Sequence, residues 1–395
     1  MKILTVATRV PQLDAKGDQL VSYHRLMALI RNGHQVELIC CLISSPSAAD
    51  EAALCHLQSV GIGCKVVVIS RLAQVRNLFF TLFASAIPLQ SGLFRSPECQ
   101  RLISMQVRNF DPDVLYLILF RPYVNANGID KPLVVDFIDS VALNYERTTH
   151  RKSPLLRPIF NLEAKRSRYY EHELAQRAAF SFVVAGDDAQ NIDPDRVRVL
   201  HNGVDTAKFS NKRDPSEKAR IIFSGNMNYA PNAEAVSWFC ENCWPEINRS
   251  HPEAKFVICG ANPSKAVESL STRYPNVTVT GRVESIAAEL GKSWISIAPM
   301  QSGAGMQNKI LEAMSCGLPV VTTTIGRGSI AAEPGSEIMV ADKAADFIEH
   351  VLKLLYHPDL RDSLGSCARL YVSRNHDWKA IGRSFINSIE TLSNK

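Results

Sequence analysis

The sequence has no apolar run long enough to cross a bilayer. Its longest, Leu78 to Leu89, is about half of the roughly 20 residues a spanning helix needs. It has no marked excess of one charge: Lys+Arg 44 against Asp+Glu 39 leaves +5 over 395 residues. A nucleic-acid binder carries a stronger, clustered excess, usually interleaved with aromatics, and no such stretch occurs here. It has no disulfide framework, because its ten cysteines are scattered and most lie in apolar runs. The single C-x-x-C, Cys240 to Cys243, lacks a second pair or a histidine pair at zinc spacing and reads as core packing within a helix. No signal peptide is expected, because Met1-Lys2 runs directly into Ile3-Leu4-Thr5-Val6-Ala7, which reads as a buried strand, and no small-residue cleavage site follows. Reduced thiols in a cytoplasm are the expectation. With 46% hydrophobic and 21% charged residues, the chain is neither disordered nor fibrous nor a coiled coil.

Two further absences concern nucleotides and metals. There is no P-loop, and no G-x-G-x-x-G follows the first strand. The two D-x-D strings, Asp111-Pro112-Asp113 and Asp193-Pro194-Asp195, precede strands in proline-containing turns, so turn chemistry accounts for them and no metal site is expected.

What is present is alternation. Short β-branched runs at 2–8, 35–43, 64–70, 113–119, 133–138, 180–185 and 197–201 are followed by a second series at 220–224, 255–259, 277–280, 294–298, 319–323 and 337–340. Runs such as Val134-Val135 and Val320-Val321 are apolar on both faces, the mark of buried parallel strands. Helical periods lie between them. In 19–32, Tyr23, Leu26, Met27 and Ile30 share a stripe that Gly33 ends. Strand–helix alternation in two series predicts two Rossmann-like, doubly wound α/β domains. The expected division is an N-terminal domain 1–205, a polar linker 206–219, a C-terminal domain 220–375, and a final helix 376–395 packing back on the N-terminal domain.

The densest chemistry lies in 301–314, Gln-Ser-Gly-Ala-Gly-Met-Gln-Asn-Lys-Ile-Leu-Glu-Ala-Met. It joins a strand to a helix. Glycines there admit a close anion, and the helix N-terminus adds partial positive charge. Lys309 lies on the first turn in reach of a phosphate, and Glu312 shares its face and can accept from ribose hydroxyls. The plainer alternative is a glycine turn with a surface ion pair. The first loop, Thr8 to Gln19, holds Arg9, Lys16 and Gly17 before a helix start. It suits an anion or is a solvated loop with Asp18 as N-cap.

The stretch GAGMQNKILEAMSCGLPVVTT resembles the donor-nucleotide region of retaining GT-B glycosyltransferases of the family 4 type. RNGHQVEL (31–38), VLHNGVDTAKF (199–209), IIFSGNMNYAPNAEAVSWF (221–239), FVICGANPS (256–264) and VTVTGRVES (277–285) agree with that family in order and spacing. The Arg9-x-Pro…Lys16-Gly17-Asp18 loop and the GNMNYAPN turn are similar to a subgroup of sugar transferases tied to exopolysaccharide gene clusters. The resemblance implies a GT-B fold, with two Rossmann-like domains facing across a cleft. Nucleotide-sugar is expected on the C-terminal domain and acceptor mainly on the N-terminal one.

It further implies that Glu312 holds ribose and Lys309 faces the diphosphate. The backbones of Gly303, Gly305, Met306 and Gln307 would cradle sugar or phosphates, Arg282 and Val283 would flank the base, and Gly17 would approach the β-phosphate. Asn226 lies in the turn where the family usually carries Arg and Lys. Eight residues before Glu312, where the family has its first glutamate, stands Ala304. Asp136 and Asp139 occupy the strand end where the family often has His, and of these Asp139 is the candidate. It either contacts sugar or acceptor, or caps Ser140 and the next helix.

The expected activity is hexosyl transfer, retaining and metal-independent, from a nucleotide-sugar substrate to a lipid-linked or saccharide acceptor, with no cofactor. Its rivals are a nucleotide-sugar epimerase, which needs an acid/base pair not evident here, and a non-catalytic GT-B partner subunit. Two segments also suggest an anionic membrane face or, equally, core helices with solvated charges. In 71–95, Arg71 and Arg76 flank Leu78, Phe79, Phe80, Leu82 and Phe83. In 147–168, Arg147, Arg151, Lys152, Arg157, Lys165, Arg166 and Arg168 outnumber Glu163.

Overall fold

The computed structural model describes all residues except Asp14, Lys16, Ser85, 150–152, Pro154, Leu155, 211–216, Ala304, Gly305 and 393–395. The chain divides into two compact units. One is Met1–His201 together with Ile381–Lys395, and the other is Asn202–Ala380. The stretch 206–219 belongs to the second unit, with 211–216 outside the described residues.

The N-terminal unit is built on a seven-stranded parallel sheet. Its strands are β1 (Lys2–Ala7), β2 (Gln35–Leu42), β3 (Gly63–Val68), β4 (Val114–Ile118), β5 (Leu133–Ile138), β6 (Phe180–Val183) and β7 (Val197–Val199), in the order β3-β2-β1-β4-β5-β6-β7. Every residue of β4 and β5 is buried, while edge strand β3 is mostly half-exposed. Central parallel strands need apolar side chains on both faces because helices cover both, which is why the β-branched runs were legible.

The C-terminal unit repeats the design with β8 (Arg220–Ser224), β9 (Lys255–Cys259), β10 (Val277–Gly281), β11 (Ile295–Ala298), β12 (Val320–Thr322) and β13 (Met339–Val340). The order is β10-β9-β8-β11-β12-β13. Its core joins Phe223, Phe239, Trp244, Phe256 and Phe347, with Cys240 and Cys243 fully buried among them. The C-x-x-C is therefore packing, as expected; burial pushes both thiols up to about 12.

In both sheets the strand order reverses between neighbours, β1/β4 in one and β8/β11 in the other. At such a reversal the connecting helices leave to opposite sides, and a crevice opens beyond the C-terminal ends of the strands. Both crevices are where the candidate residues gather.

The last helix, Trp378–Glu390, starts in the second unit and ends in the first. Within the N-terminal unit its Ile381, Phe385, Ile386 and Ile389 are buried. Phe385 lies 5.5 Å, ring to ring, from both Tyr116 and Phe182. Gly382 brings the helix close to Ala28: an added Cβ would sit 3.1 Å from the Ala28 methyl. Within the C-terminal unit, the chain around 202–206 is tied to 376–378. Val204 N donates to His376 O (2.7 Å), Thr206 donates to Asp377, and Trp378 lies so close over Gly203 that no side chain fits there.

Candidate functional site

In the C-terminal unit, the loop after β8 and the loop after β11 lie side by side at the reversal. Each leads into a helix, Ala230–Asn242 and Asn308–Ser315. Neither helix has a side-chain N-cap; Tyr229 and Gln307 occupy the cap positions. Neither cap side chain takes a first-turn N–H, although Asn232 N donates to Tyr229 O (2.9 Å) and Ile310 N to Gln307 O (2.9 Å), and two helix dipoles present positive ends to one rim.

Lys309 lies in the first turn of the second helix. Its ammonium donates to Asn232 Oδ1, lies 3.6 Å from Met300 Sδ and sits 4.5 Å from the Phe223 ring centroid. Asn232 in turn donates from Nδ2 to Asn226 O (2.8 Å). Lys309 is thus tethered to the turn after β8 rather than swinging free. Asn232 is 5% exposed and was not singled out in sequence. The only signal for it was the asparagine that ends Tyr229-Ala230-Pro231-Asn232, in the first turn of the helix. Glu312 lies one turn beyond Lys309 and is half-buried.

Gly303 has φ 126, a backbone that favours glycine, and a Cβ added there would come within van der Waals distance of Pro231, the Tyr229 hydroxyl and Gln307. Ser302 donates to Glu234. Met306 is half-buried against the core and Gln307 is buried. Gly305 and Ala304 lie outside the described residues. Two glycines let the neighbouring loops approach: a Cβ on Gly260 would sit 1.7 Å from Gly225 O, and one on Gly225 would reach Asn232 at 2.8 Å. Gly260 N also donates to Gly281 O (3.0 Å), bringing in the end of β10. There Arg282 is exposed and Val283 is half-buried against the core. Asn226, Arg282, Val283, Gly303, Met306, Gln307, Lys309 and Glu312 therefore follow one strand-end rim.

In the N-terminal unit, a second cluster stands at the β1/β4 reversal. Gly17, at φ 64 and ψ −135, is the N-cap residue of the helix Asp18–Arg31. This corrects the expected cap: Asp18 is the first helical residue, and its carboxylate takes Arg9 at 2.8 Å instead of a backbone N–H. Part of the charge Arg9 was expected to offer an anion is thereby neutralised. Leu119 and Ile138, at the ends of β4 and β5, hold φ of 66 and 67. Bulky residues adopt that backbone only where the surroundings enforce it, and functional sites collect such strain.

Asp139 follows Ile138. Burial raises its carboxyl above the ordinary range, against a hydrogen bond from Asn144 (3.1 Å); Asp18 also raises it and Arg121 lowers it. Arg121, whose guanidinium pKa burial lowers, donates to Gln90 Oε1 (3.0 Å), and Gln90 donates to the Tyr145 hydroxyl (2.9 Å). Ser140, not Asp139, caps the following helix Val141–Thr149 by accepting from Leu143 N (3.2 Å). Arg121, Gln90 and Tyr145 were not singled out, because they come from three distant segments that only the sheet brings together. Asp136, by contrast, is structural: it is 1% exposed, and its Oδ2 accepts from Arg25 Nε and Tyr116 Oη, each at 3.2 Å.

Three of the four D-x-D carboxylates have structural partners. Asp111 pairs with Lys131 (2.8 Å), Asp113 accepts from Lys2 N (2.7 Å), and Asp193 accepts from Asp195 N and Arg196 N. A cavity of about 360 Å³ in the N-terminal unit is lined by Tyr123, Asn127, Asp130, Lys131, Leu133 and Arg177. Leu133 opens β5, so this cavity lies at the far end of the strands and holds none of the candidate residues.

Comparison with known proteins follows the same lines. Residues 218–357 match the family model of glycosyl transferases group 1. The chain is similar to an uncharacterized 44.6 kDa protein in the cps region of Klebsiella pneumoniae, 22% identical over 96% of this chain and 97% of that protein. It is also similar to the sulfoquinovosyl transferase of Arabidopsis thaliana, 26% identical over 74% of this chain and 58% of that one. Among solved structures, Anabaena HepE in complex with UDP-glucose superposes with TM-score 0.66 at 13% identity, covering 99% of this chain and 100% of that one. A glycosyltransferase from Rickettsia africae gives TM-score 0.70 at 13% identity over 100% and 99%. The fold is thus that of two-domain GT-B proteins, and residues 218–357 carry a domain of the glycosyl transferases group 1 type.

Proposed function

We propose that the protein transfers a hexosyl group from a nucleotide-diphosphate sugar to a lipid-linked or saccharide acceptor, with retention and without a metal. The carrying observation is the convergence of Lys309 and two helix N-termini, without side-chain caps, on the rim at the β8/β11 reversal. A leaving diphosphate develops negative charge, and preorganised positive groups stabilise that charge most where they need not reorganise. Asn232 and Phe223 hold the Lys309 ammonium ready for such a group.

In this reading Lys309 neutralises the diphosphate. Glu312 accepts from the ribose, and Arg282 and Val283 flank the base. The N–H groups around Gly303, Gly305, Met306 and Gln307 take sugar and phosphate oxygens, beside the Asn226 turn. Gly17 bares backbone toward a phosphate from the N-terminal unit. Asp139, in its buried and charged surroundings, meets the acceptor or the sugar. The leaving phosphate oxygen accepts the acceptor hydroxyl proton as the new glycosidic bond forms on the face the nucleotide leaves. HepE, whose structure holds UDP-glucose, makes uridine donors the first to try. The cps-region relative points to a surface polysaccharide as the product class.

The test is a thermal-shift screen of UDP-, GDP- and ADP-sugars, followed by release of nucleotide diphosphate with and without EDTA. One donor class is expected to raise the melting temperature, since a ligand that binds only the folded state stabilises it by mass action. Turnover is expected to withstand EDTA. A chain that binds no nucleotide-sugar and releases no diphosphate overturns the proposal.

A further inference from the structure

The helix Arg71–Ala84 is amphipathic in the reverse sense for a packed helix. Leu72, Val75, Phe79 and Phe83 follow one another at i, i+3, i+7 and i+11, a single stripe, and they are 81%, 66%, 68% and 71% exposed. Phe80 beside them is 47% exposed. The opposite face, turned into the protein, is polar: Asn77 is 5% and Thr81 1% exposed. Asn77 donates to Arg95 O (2.7 Å), Thr81 to Asn77 O (2.6 Å), and Gln74 to Ile69 O (2.8 Å) and Ile43 O (2.6 Å). Gly92 lies against Thr81 so closely that a Cβ would meet its hydroxyl at 2.0 Å. The bonds that Gln74 and Asn77 make outside the helix, with the close fit of Gly92 on Thr81, fix this orientation, and the apolar stripe cannot roll inward without breaking them.

Charge says what covers the stripe. Residues 71–95 contain Arg71, Arg76 and Arg95 and no acidic residue. All three arginines are exposed, and none pairs with a carboxylate among the described residues. Arg95 lies over the Phe80 ring at 5.4 Å. The second basic segment differs, because three of its arginines already have partners: Arg147 with Asp187 (2.8 Å), Arg166 with Glu163 (3.4 Å) and Arg168 with Glu146. A second copy of this chain seated on the stripe would bring like charges together. An anionic lipid surface neutralises them while taking up the phenylalanines.

We infer that the helix Arg71–Ala84 docks this protein on anionic lipid bilayers, with Leu72, Val75, Phe79 and Phe83 entering the acyl boundary and Arg71, Arg76 and Arg95 meeting the headgroups. The inference is independent of the donor reading, so the two fail separately. The test is co-sedimentation of the full chain with vesicles of phosphatidylcholine alone or of equimolar phosphatidylcholine and phosphatidylglycerol. Binding is expected to the second kind and to fall as salt rises. The double variant Phe79→Ser, Phe83→Ser is expected to bind about tenfold or more weakly, as follows from losing two apolar insertions. Arg71→Gln with Arg76→Gln is expected to weaken binding to the anionic vesicles about thirtyfold, since the two basic residues contribute ~1 kcal/mol each. Both variants should keep the wild-type melting temperature and donor turnover. Absence of binding to anionic vesicles, unchanged binding by the phenylalanine variant, or a dimer that this variant dissociates in sedimentation equilibrium overturns the inference.

Discussion

Asn232 links Lys309 to the turn after β8, accepting from the Lys309 ammonium while donating to the Asn226 carbonyl at 2.8 Å. One amide thus couples the two loops whose helices border the crevice. A lysine held this way loses less side-chain freedom when it meets an anion than one waving in solvent.

Lys309→Ala is expected to lower kcat/KM for the nucleotide-sugar by about 2–4 kcal/mol, the scale of losing a preorganised charge donor. Asn232→Ala should cost less, because the ammonium remains and only its placement suffers. Steady-state kinetics on both variants checks the order, and equal turnover by Lys309→Ala and wild type would remove Lys309 from the chemistry.

Glu312→Gln should weaken nucleotide binding while sparing the fold, since the side chain is half-buried and keeps its shape. Titration calorimetry with the free nucleotide diphosphate reads it. Unchanged affinity would rule out the ribose role.

Gly17→Ala should reduce turnover through the backbone. No atom lies within 4 Å of a Cβ built there, so no clash arises. The cost is the conformation, φ 64 with ψ −135, which side-chain-bearing residues adopt only at about 1–3 kcal/mol. Nucleotide affinity should stay near wild type. A variant with normal turnover would place the first loop outside the site.

Stability should fall as pH rises through neutrality. Burial pushes Glu171 up to about 8 and Asp188 to about 6. Both receive hydrogen bonds from the residues just after Asp139: Glu171 from the Ser140 hydroxyl and Val141 N, Asp188 from Ser140 N. Between the ordinary value of 4.5 and about 8, the folded Glu171 keeps a proton that the unfolded chain has lost. The folded state therefore binds more protons, and its stability declines across that window. Melting temperatures at pH 5 and pH 8.5 should show this, and Glu171→Gln should flatten it.

Arg25→Ala should destabilise the N-terminal unit by about 3–5 kcal/mol, the cost of stranding a buried carboxylate without its cation. Arg25 and Asp136 are each 1% exposed, and Arg25 also lies 5.2 Å from the Phe385 ring centroid. Urea unfolding measures it. Replacing both, Arg25→Met with Asp136→Asn, should recover much of the loss.

The strands were legible because each central strand is buried on both faces, so Val134-Val135 and Val320-Val321 announce themselves without any tertiary knowledge. The glycine-rich turn before Lys309 was legible for a similar local reason: turn, helix start and the i, i+3 pair Lys309 and Glu312 lie within one short stretch. Arg25 was not legible. It occupies a helix whose stripe read as Tyr23, Leu26, Met27 and Ile30, and only distant partners, the Asp136 carboxylate and the Leu200 carbonyl, explain a buried guanidinium there.

Sequence alone determined the two alternating series, the two parallel sheets they form and the loop rich enough in glycine and charge to meet an anion. These are properties of neighbours along the chain, set by periodicity and turn chemistry. Tertiary structure alone decided that Asn232 holds Lys309, that Arg121, Gln90 and Tyr145 connect near Asp139, and that Leu72, Val75, Phe79 and Phe83 point outward. Each depends on residues far apart in sequence brought to one strand end or one helix face. Periodicity shows that a helix has an apolar side; only the packing of Asn77 and Thr81 shows which side is turned to the protein.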